Sequence, residues 1–350
     1  MSQFARTSEE RIHSLMTLGY TERESPFLSL AALHGGYFLR GQFCRFIGKE
    51  VGGTSAALIE KLLDRRHAMV LTGSHNTKVY HLAARPFYAA LGQEDNRNRR
   101  SREPLGIQRR LMILDFVLDH LHYWFFATEQ ERVDYFTGVR GVPLAALPSK
   151  PYRSPSTGQV TTRYFVDKNP IFILDSDRSV NPLVHFCYVD EAVTRSGFET
   201  FLTQYRPLFE ALGRFRLVHV AASKLPGIAA QRIFERFVGG IAGQSAGCGT
   251  EEFRRRLEMY FISRQRYETG QLEGFDRQAL VQLREDRQRF SRAEYEALFD
   301  RWKQIGAAAF ETIVPLAAPK NSPLEASFTT HILNHSYAIF GNLEEPTHGA

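Results

Sequence analysis

The chain holds 350 residues, 43% of them hydrophobic and 23% charged, a composition that excludes intrinsic disorder and calls for two domains, or one with a large appendage. No stretch reaches the ~18 apolar residues of a membrane span, and charges interrupt the first residues where a signal peptide is apolar, so a cytoplasmic protein without membrane contact is expected. Cys44, Cys187 and Cys248 are far apart and form no CxxC, which argues against a disulfide framework or structural zinc and for reduced, buried thiols.

The formal net charge is +6, and residues 1–110 hold 17 Lys+Arg against 10 Asp+Glu while the remainder hold 27 against 28. The basic excess therefore lies in the first third, as it would if that third met a polyanion.

Thr21 to His34 opens with Thr21 and Glu24 in capping-box spacing and continues with apolar residues at helical intervals, predicting a helix that Gly35-Gly36 ends. Tyr37 to Gly48 predicts a second short helix with Phe38, Phe43, Phe46 and Ile47 inward. Thr54 to Arg66 predicts a third, with Leu58, Ile59, Leu62 and Leu63 on one face. Ala68 to Leu71 and Lys78 to Leu82 read as strands joined by a turn over Gly73 to Asn76. Three short helices and a hairpin are the element order of a winged helix, a DNA-binding arrangement whose last helix enters the major groove.

A short helix from Arg85 leads to four arginines, Arg97, Arg99, Arg100 and Arg102, and then to an apolar helix from Leu105 to about Phe126. Such an arginine cluster repels itself unless something anionic lies against it. Pro143 to Pro155, rich in Pro and Ser, predicts a linker. Beyond it, Thr161 to Leu174, Leu183 to Val189 and Phe215 to Ala221 read as strands, with a helix over Phe198 to Leu212 making the last two parallel. Pro226 to Gly239 and the charged stretch Glu251 to Ile305 are predicted helical, the latter a place for a homodimer interface. Apolar stretches after Asn321 predict docking on the body.

The fold class expected is α+β: an N-terminal winged helix-turn-helix, then a small α/β domain with C-terminal helices. The divisions are 1–104 for the DNA-binding head, 105–150 for a connecting helix and linker, 151–245 for the α/β domain and 246–350 for the helical region. Candidate DNA contacts are Arg40, Thr54, Ser55, Lys61, Arg65 and Arg66 around the third helix, His75, Asn76 and Lys78 at the hairpin tip, and the arginines at 97, 99, 100 and 102. Duplex DNA is the expected partner, with no cofactor, no metal and no catalytic residue.

The stretches FLSLAALHGGYFLRGQFCRFIG, GTSAALIEKLLDRRHA, VYHL and RPFYAALG resemble the winged-helix proteins of bacterial mobile elements, of the replication-relaxation type, over residues 20 to about 130. That resemblance implies transcriptional regulation of a mobile or accessory element. It also implies that the later part resembles a reduced restriction-endonuclease-like fold, whose active relatives hold a metal with an Asp on one strand and an acidic-x-Lys pair on the next. Asp167 matches the first carboxylate. The next strand, LVHFCYVDE, has His185, Phe186 and Cys187 at its centre and Asp190-Glu191 only at its end, with no lysine two positions on. A degenerate, non-catalytic module is the expectation, with a metal-dependent nuclease as the alternative.

No GxxxxGK[ST] or HExxH motif is present, leaving nucleotide hydrolysis and zinc proteolysis without support. His120, His122, His185 and His219 lie in apolar segments and are expected to pack or cap.

Overall fold

The computed structural model describes residues 3–153, 158–177, 179, 181–191, 195–223, 225–246, 250–271, 275–290, 293–310, 324–335 and 337. Two compact units divide it: Met1–Phe237 with Glu325–Ala350, and Val238–Leu324.

The first unit begins with α1 (Gln3–Thr17) and α2 (Glu24–His34). The capping box forms as read, with Thr21 N donating to Glu24 Oε2 at 2.8 Å and Glu24 N to Thr21 Oγ1 at 3.3 Å. Gly36, at φ +80°, then turns the chain into a strand, β1 (Tyr37–Leu39), where the hydrophobic pattern predicted helix. Pairing decides the matter: Tyr37, Phe38 and Leu39 lie opposite His81, Tyr80 and Val79. Helix begins only at α3 (Arg40–Phe46), where Gln42 Oε1 accepts the Leu39 N–H at 2.9 Å. Next come α4 (Gly53–Asp64), β2 (Ala68–Thr72) and β3 (Lys78–Leu82), close to the ranges read from sequence. The three strands form an antiparallel sheet ordered β1-β3-β2. Phe27, Leu28, Phe38, Phe43, Leu58, Leu62 and Leu82 fill the core beneath it, each buried side chain contributing about 1.5–3 kcal/mol of transfer free energy.

After α5 (Arg85–Ala90), α6 (Pro104–Asp119) ends before the predicted Phe126, and Tyr123–Phe125 becomes β4. The reason is again a partner strand, since Tyr123, Trp124 and Phe125 pair with Leu174, Ile173 and Phe172. A short helix, α7 (Glu129–Asp134), leads into a π-helical turn at Tyr135–Val139. The predicted linker carries a strand instead: β5 (Ser149–Arg153) pairs with β6 (Val160–Tyr164) as a separate two-stranded ribbon. The single long strand expected up to Leu174 is broken, because Phe165 and Lys168 take positive φ of 48° and 62° before β7 (Ile171–Leu174).

β8 (Val184–Asp190), α8 (Arg195–Leu212) and β9 (Arg214–Ala221) give the expected parallel pair across a helix. After α9 (Leu225–Ala246), the chain returns as β10 (Glu325–Ile332), parallel to β9, in a mixed sheet ordered β10-β9-β8-β7-β4. A second core joins Tyr37, Leu71 and Val79 of the first sheet to Phe172, Cys187, Val189 and Val220 of the second, with Ile107, Leu111 and Phe116 of α6 between them. The breaks expected after 104 and 150 thus fall inside one unit, because α6 serves both cores.

The tail docks through Leu333 and Tyr337, both buried, and Tyr337 donates to the buried Asp115, which also holds Arg45 at 2.6 Å. Cys44 and Cys187 are free and buried, while Cys248 lies outside the described residues. His120 Nδ1 donates to the Phe116 carbonyl at 2.7 Å and its ring stacks on Tyr123, which also meets His122 edge-on; His185 and His219 are buried.

Among its described residues the second unit holds the end of α9 from Val238, then α10 (Thr250–Glu268), α11 (Arg277–Arg289) and α12 (Ala293–Ile305), with a core of Leu257, Tyr260, Phe261, Phe290, Phe299 and Phe310. Among the described residues no helix is long and apolar enough to cross a membrane.

Candidate nucleic-acid interface

The first turn of α4 is held from below. Ser55, 1% exposed, accepts the Gly52 N–H at 3.3 Å and donates to the Gly52 carbonyl at 2.9 Å. Arg40 donates through Nε to Ser55 Oγ at 2.7 Å and through Nη2 to the Gly52 carbonyl at 2.6 Å. Two candidate contact residues, Arg40 and Ser55, are therefore committed to building the helix start rather than to facing a ligand. Thr54 remains exposed, beside exposed Gly53, Ala56 and Ala57. First-turn N–H groups have no acceptor within a helix and carry its positive end, so this small-residue surface lets an anion approach the backbone closely.

At the other end of α4 the basic side chains fold back. Lys61 Nζ meets Glu24 Oε2 at 2.6 Å, and Arg65 donates to the Leu18 carbonyl with its guanidinium 5.4 Å from the centre of the Tyr20 ring. Burial, outweighing nearby Arg65, raises the Tyr20 phenol above its ordinary range; its oxygen lies 2.6 Å from His67 Nδ1. Arg66 is exposed at φ +54°, and the outer face of α4 also shows Glu60 and Asp64.

In the hairpin, Asn76 is exposed at φ +57° and Lys78 is exposed with Nζ 2.8 Å from Thr72 Oγ1. The His75 side chain lies outside the described residues.

The arginine cluster is pinned rather than loose. Asn98, 1% exposed, donates to the carbonyls of Ala32 and Leu33 at 2.9 and 3.0 Å, and its own carbonyl meets His81 Nε2 at 2.8 Å. Arg99 donates to the carbonyls of Ala83 and Glu94 at 3.1 and 2.7 Å. Arg100 and Arg102 are exposed, and Arg97 lies over the Tyr152 ring at 3.9 Å. A cleft of about 430 Å³ opens here, lined by Asp95, Asn96, Arg97, Arg99, Arg100 and Arg163.

No family model, curated protein or solved structure matches this chain.

The residues considered for nuclease chemistry are engaged otherwise. Asp167 Oδ1 accepts from Tyr205 at 3.1 Å and from the Asn169 N–H at 3.1 Å. Asp190 is buried with His219 Nε2 3.1 Å away, and Glu191 lies 3.6 Å from Arg109. Asn169 Oδ1 accepts from Arg109 at 2.9 Å and from the Val189 N–H at 3.2 Å. Among the described residues no three His, Cys, Asp or Glu side chains gather to hold a metal ion.

The surroundings of Asp167 are instead cationic. Burial, followed by Arg109 and Arg102, pushes Arg110 down to about 9, and burial, followed by Arg132 and Arg110, pushes Lys168 down to about 7. Sequence reading singled out neither this interior cluster nor the basic ribbon side chains Lys150, Arg153 and Arg163. The available signal was the absence of any acidic residue from Ser149 to Tyr164.

Proposed function

We propose that the chain binds duplex DNA through a winged helix formed by α2 to β3. The observation that carries this reading is the element order helix, strand, helix, helix, strand, strand with sheet order β1-β3-β2, combined with the exposed, small-residue first turn of α4. In this arrangement α4 is the recognition helix and the β2–β3 hairpin is the wing. Thr54 and the α4 first-turn amides meet phosphate or a base edge, and Asn76, Lys78 and Arg66 flank them. The surplus of basic residues in 1–110 supports a polyanionic rather than a protein partner. Regulation of a mobile or accessory genetic element is the role that fits the resemblance noted in the sequence, and a homodimer matches the paired half-sites such proteins read.

The test is binding of the full chain to a fluorescent random-sequence duplex across a salt series, beside Thr54→Ala and Arg66→Ala/Lys78→Ala. Affinity that falls steeply with salt, with a shallower slope in the double variant, supports the reading. Absence of binding at low salt overturns it.

A further inference from the structure

We infer that the β5–β6 ribbon and the pinned arginine segment beside it form a second contact to the DNA, gripping its sugar-phosphate backbone in the cleft between Arg97, Arg99, Arg100 and Arg163; this rests on the duplex-binding reading above.

The ribbon belongs to neither larger sheet, and its ten paired residues include Lys150, Arg153 and Arg163 but no carboxylate. All of β5 is exposed, as are Val160 to Thr162, with Arg163 and Tyr164 partly so. Lys150 stands directly opposite Arg163 across the strands. Like charges in that position oppose pairing unless a counter-charge lies against them. Tyr152 shares the same face, since Lys150 and Tyr152 are two residues apart on one strand, and it is this ring that Arg97 covers at 3.9 Å. The contact fixes the ribbon against a segment already held by Asn98 and Arg99.

Four guanidinium groups therefore surround one cleft. The carboxylates nearby are Asp95 in its lining, Glu129, whose Oε2 is 3.8 Å from Arg163 Nη1, and Glu94, whose own carboxylate is taken by Arg85 at 2.5 Å. Opposing charge is in deficit, and the missing partner is an anion. Planar guanidinium forks match phosphate oxygens in pairs, which makes a backbone phosphate the complementary group. The cleft lining is polar and carries no aromatic side chain on which an unstacked base would rest, which favours duplex backbone over single strand.

The experiment compares the full chain with Lys150→Ala/Arg163→Ala, with the charge-conserving Lys150→Arg/Arg163→Lys, and with the α4 and hairpin double variant Arg66→Ala/Lys78→Ala. Each is titrated into a random 25-base-pair duplex from 50 to 200 mM salt, with thermal unfolding as the check on folding. Removing two phosphate contacts should lower affinity at least roughly tenfold at about 0.1 M salt and reduce the log-log salt slope by about 2, while the charge-conserving variant keeps both near the wild-type values. A folded Lys150→Ala/Arg163→Ala protein with wild-type affinity and slope, alongside a weakened Arg66→Ala/Lys78→Ala protein, overturns the second contact and leaves the winged-helix reading standing. A wild-type chain that binds no duplex at 50 mM salt overturns both. Tighter binding to single-stranded RNA or DNA, lost in the ribbon variant, overturns the duplex assignment of the cleft.

Discussion

Lys61 and Glu24 form an ion pair of 2.6 Å that ties α4 to the start of α2, with side chains only 24% and 10% exposed. The same carboxylate accepts the Thr21 N–H, so Glu24 caps one helix and anchors another. Lys61→Ala should therefore cost stability, on the order of 1 kcal/mol for a partly shielded pair, and leave duplex affinity within about twofold. Glu24→Ala should cost more, about 1–2 kcal/mol, because the cap is lost too. Urea unfolding of both variants and of the double variant checks the coupling. Additive losses would show that the pair contributes nothing beyond its separate members.

Gly36 sits at φ +80°, and a methyl group built on it lies 2.5 Å from the Asn98 carbonyl oxygen. That oxygen is main chain and already meets His81, so it has little freedom to retreat. Gly36→Ala should destabilise by more than about 2 kcal/mol, combining the left-handed backbone penalty with the clash. Gly48, at φ +64° with open space around it, supplies the control: Gly48→Ala meets only the backbone term, about 1–2 kcal/mol. Equal urea midpoints for the two variants would refute the clash.

These local features explain what could be read without coordinates. The Thr21–Glu24 cap, the strand Lys78–Leu82 and the parallel β8–β9 pair were legible because each is written in contiguous residues as a cap, an alternation or a run of β-branched and aromatic side chains. Tyr37–Leu39 and Tyr123–Phe125 were misread as helix because each abuts a true helix and its aromatic residues suit either period; only the partner strands His81–Val79 and Leu174–Phe172 decide. The ribbon's first strand, Ser149–Arg153, hid in a Pro- and Ser-rich stretch, since its exposed residues leave no alternation to detect. For the candidate interface, the charge surplus was visible, but its availability was not. Lys61 meets a partner 37 residues away and Arg97 one 55 residues away, and no spacing rule along the chain reports such encounters.

Three buried histidines make the fold acid-sensitive. Burial, then Arg132 and Lys168, pushes His34 down to about 3; burial, then Arg216, pushes His185 down to about 4; and burial, with Arg102 adding to it against the Asn98 carbonyl, lowers His81. Each stays neutral in the folded chain while its unfolded counterpart takes a proton near pH 6.5. Stability is fully present above that value and falls as pH drops toward 4, by up to about 1.4 kcal/mol per unit for each histidine. Urea midpoints at pH 7.5, 6 and 5 should decline, and His34→Leu should flatten part of the decline. Midpoints unchanged between pH 7.5 and 5 would contradict the assignment.

Lys168 produces a slope on the alkaline side. Its ammonium is held down to about 7 by burial first and then by Arg132 and Arg110, with Glu129 opposing them. Between that value and the ordinary lysine range near 10.5, the unfolded chain carries a proton that the folded chain does not, so stability rises with pH across this window. Below pH 7 both states are protonated and the full penalty of the crowded charge applies. Lys168→Met removes the charge and keeps the length of the side chain, so it should raise stability at pH 6 to 7 and lose the rise between pH 7 and 9. The slope contributed by Lys168 is bounded at ~1.4 kcal/mol per pH unit, the limit set by one proton bound only in the unfolded chain. Lysine and methionine are both unbranched at Cβ and meet the same backbone penalty at φ +62°, so a difference in slope reports the charge. Parallel stability curves for the two proteins from pH 7 to 9 would show instead that Lys168 keeps its proton in the folded chain.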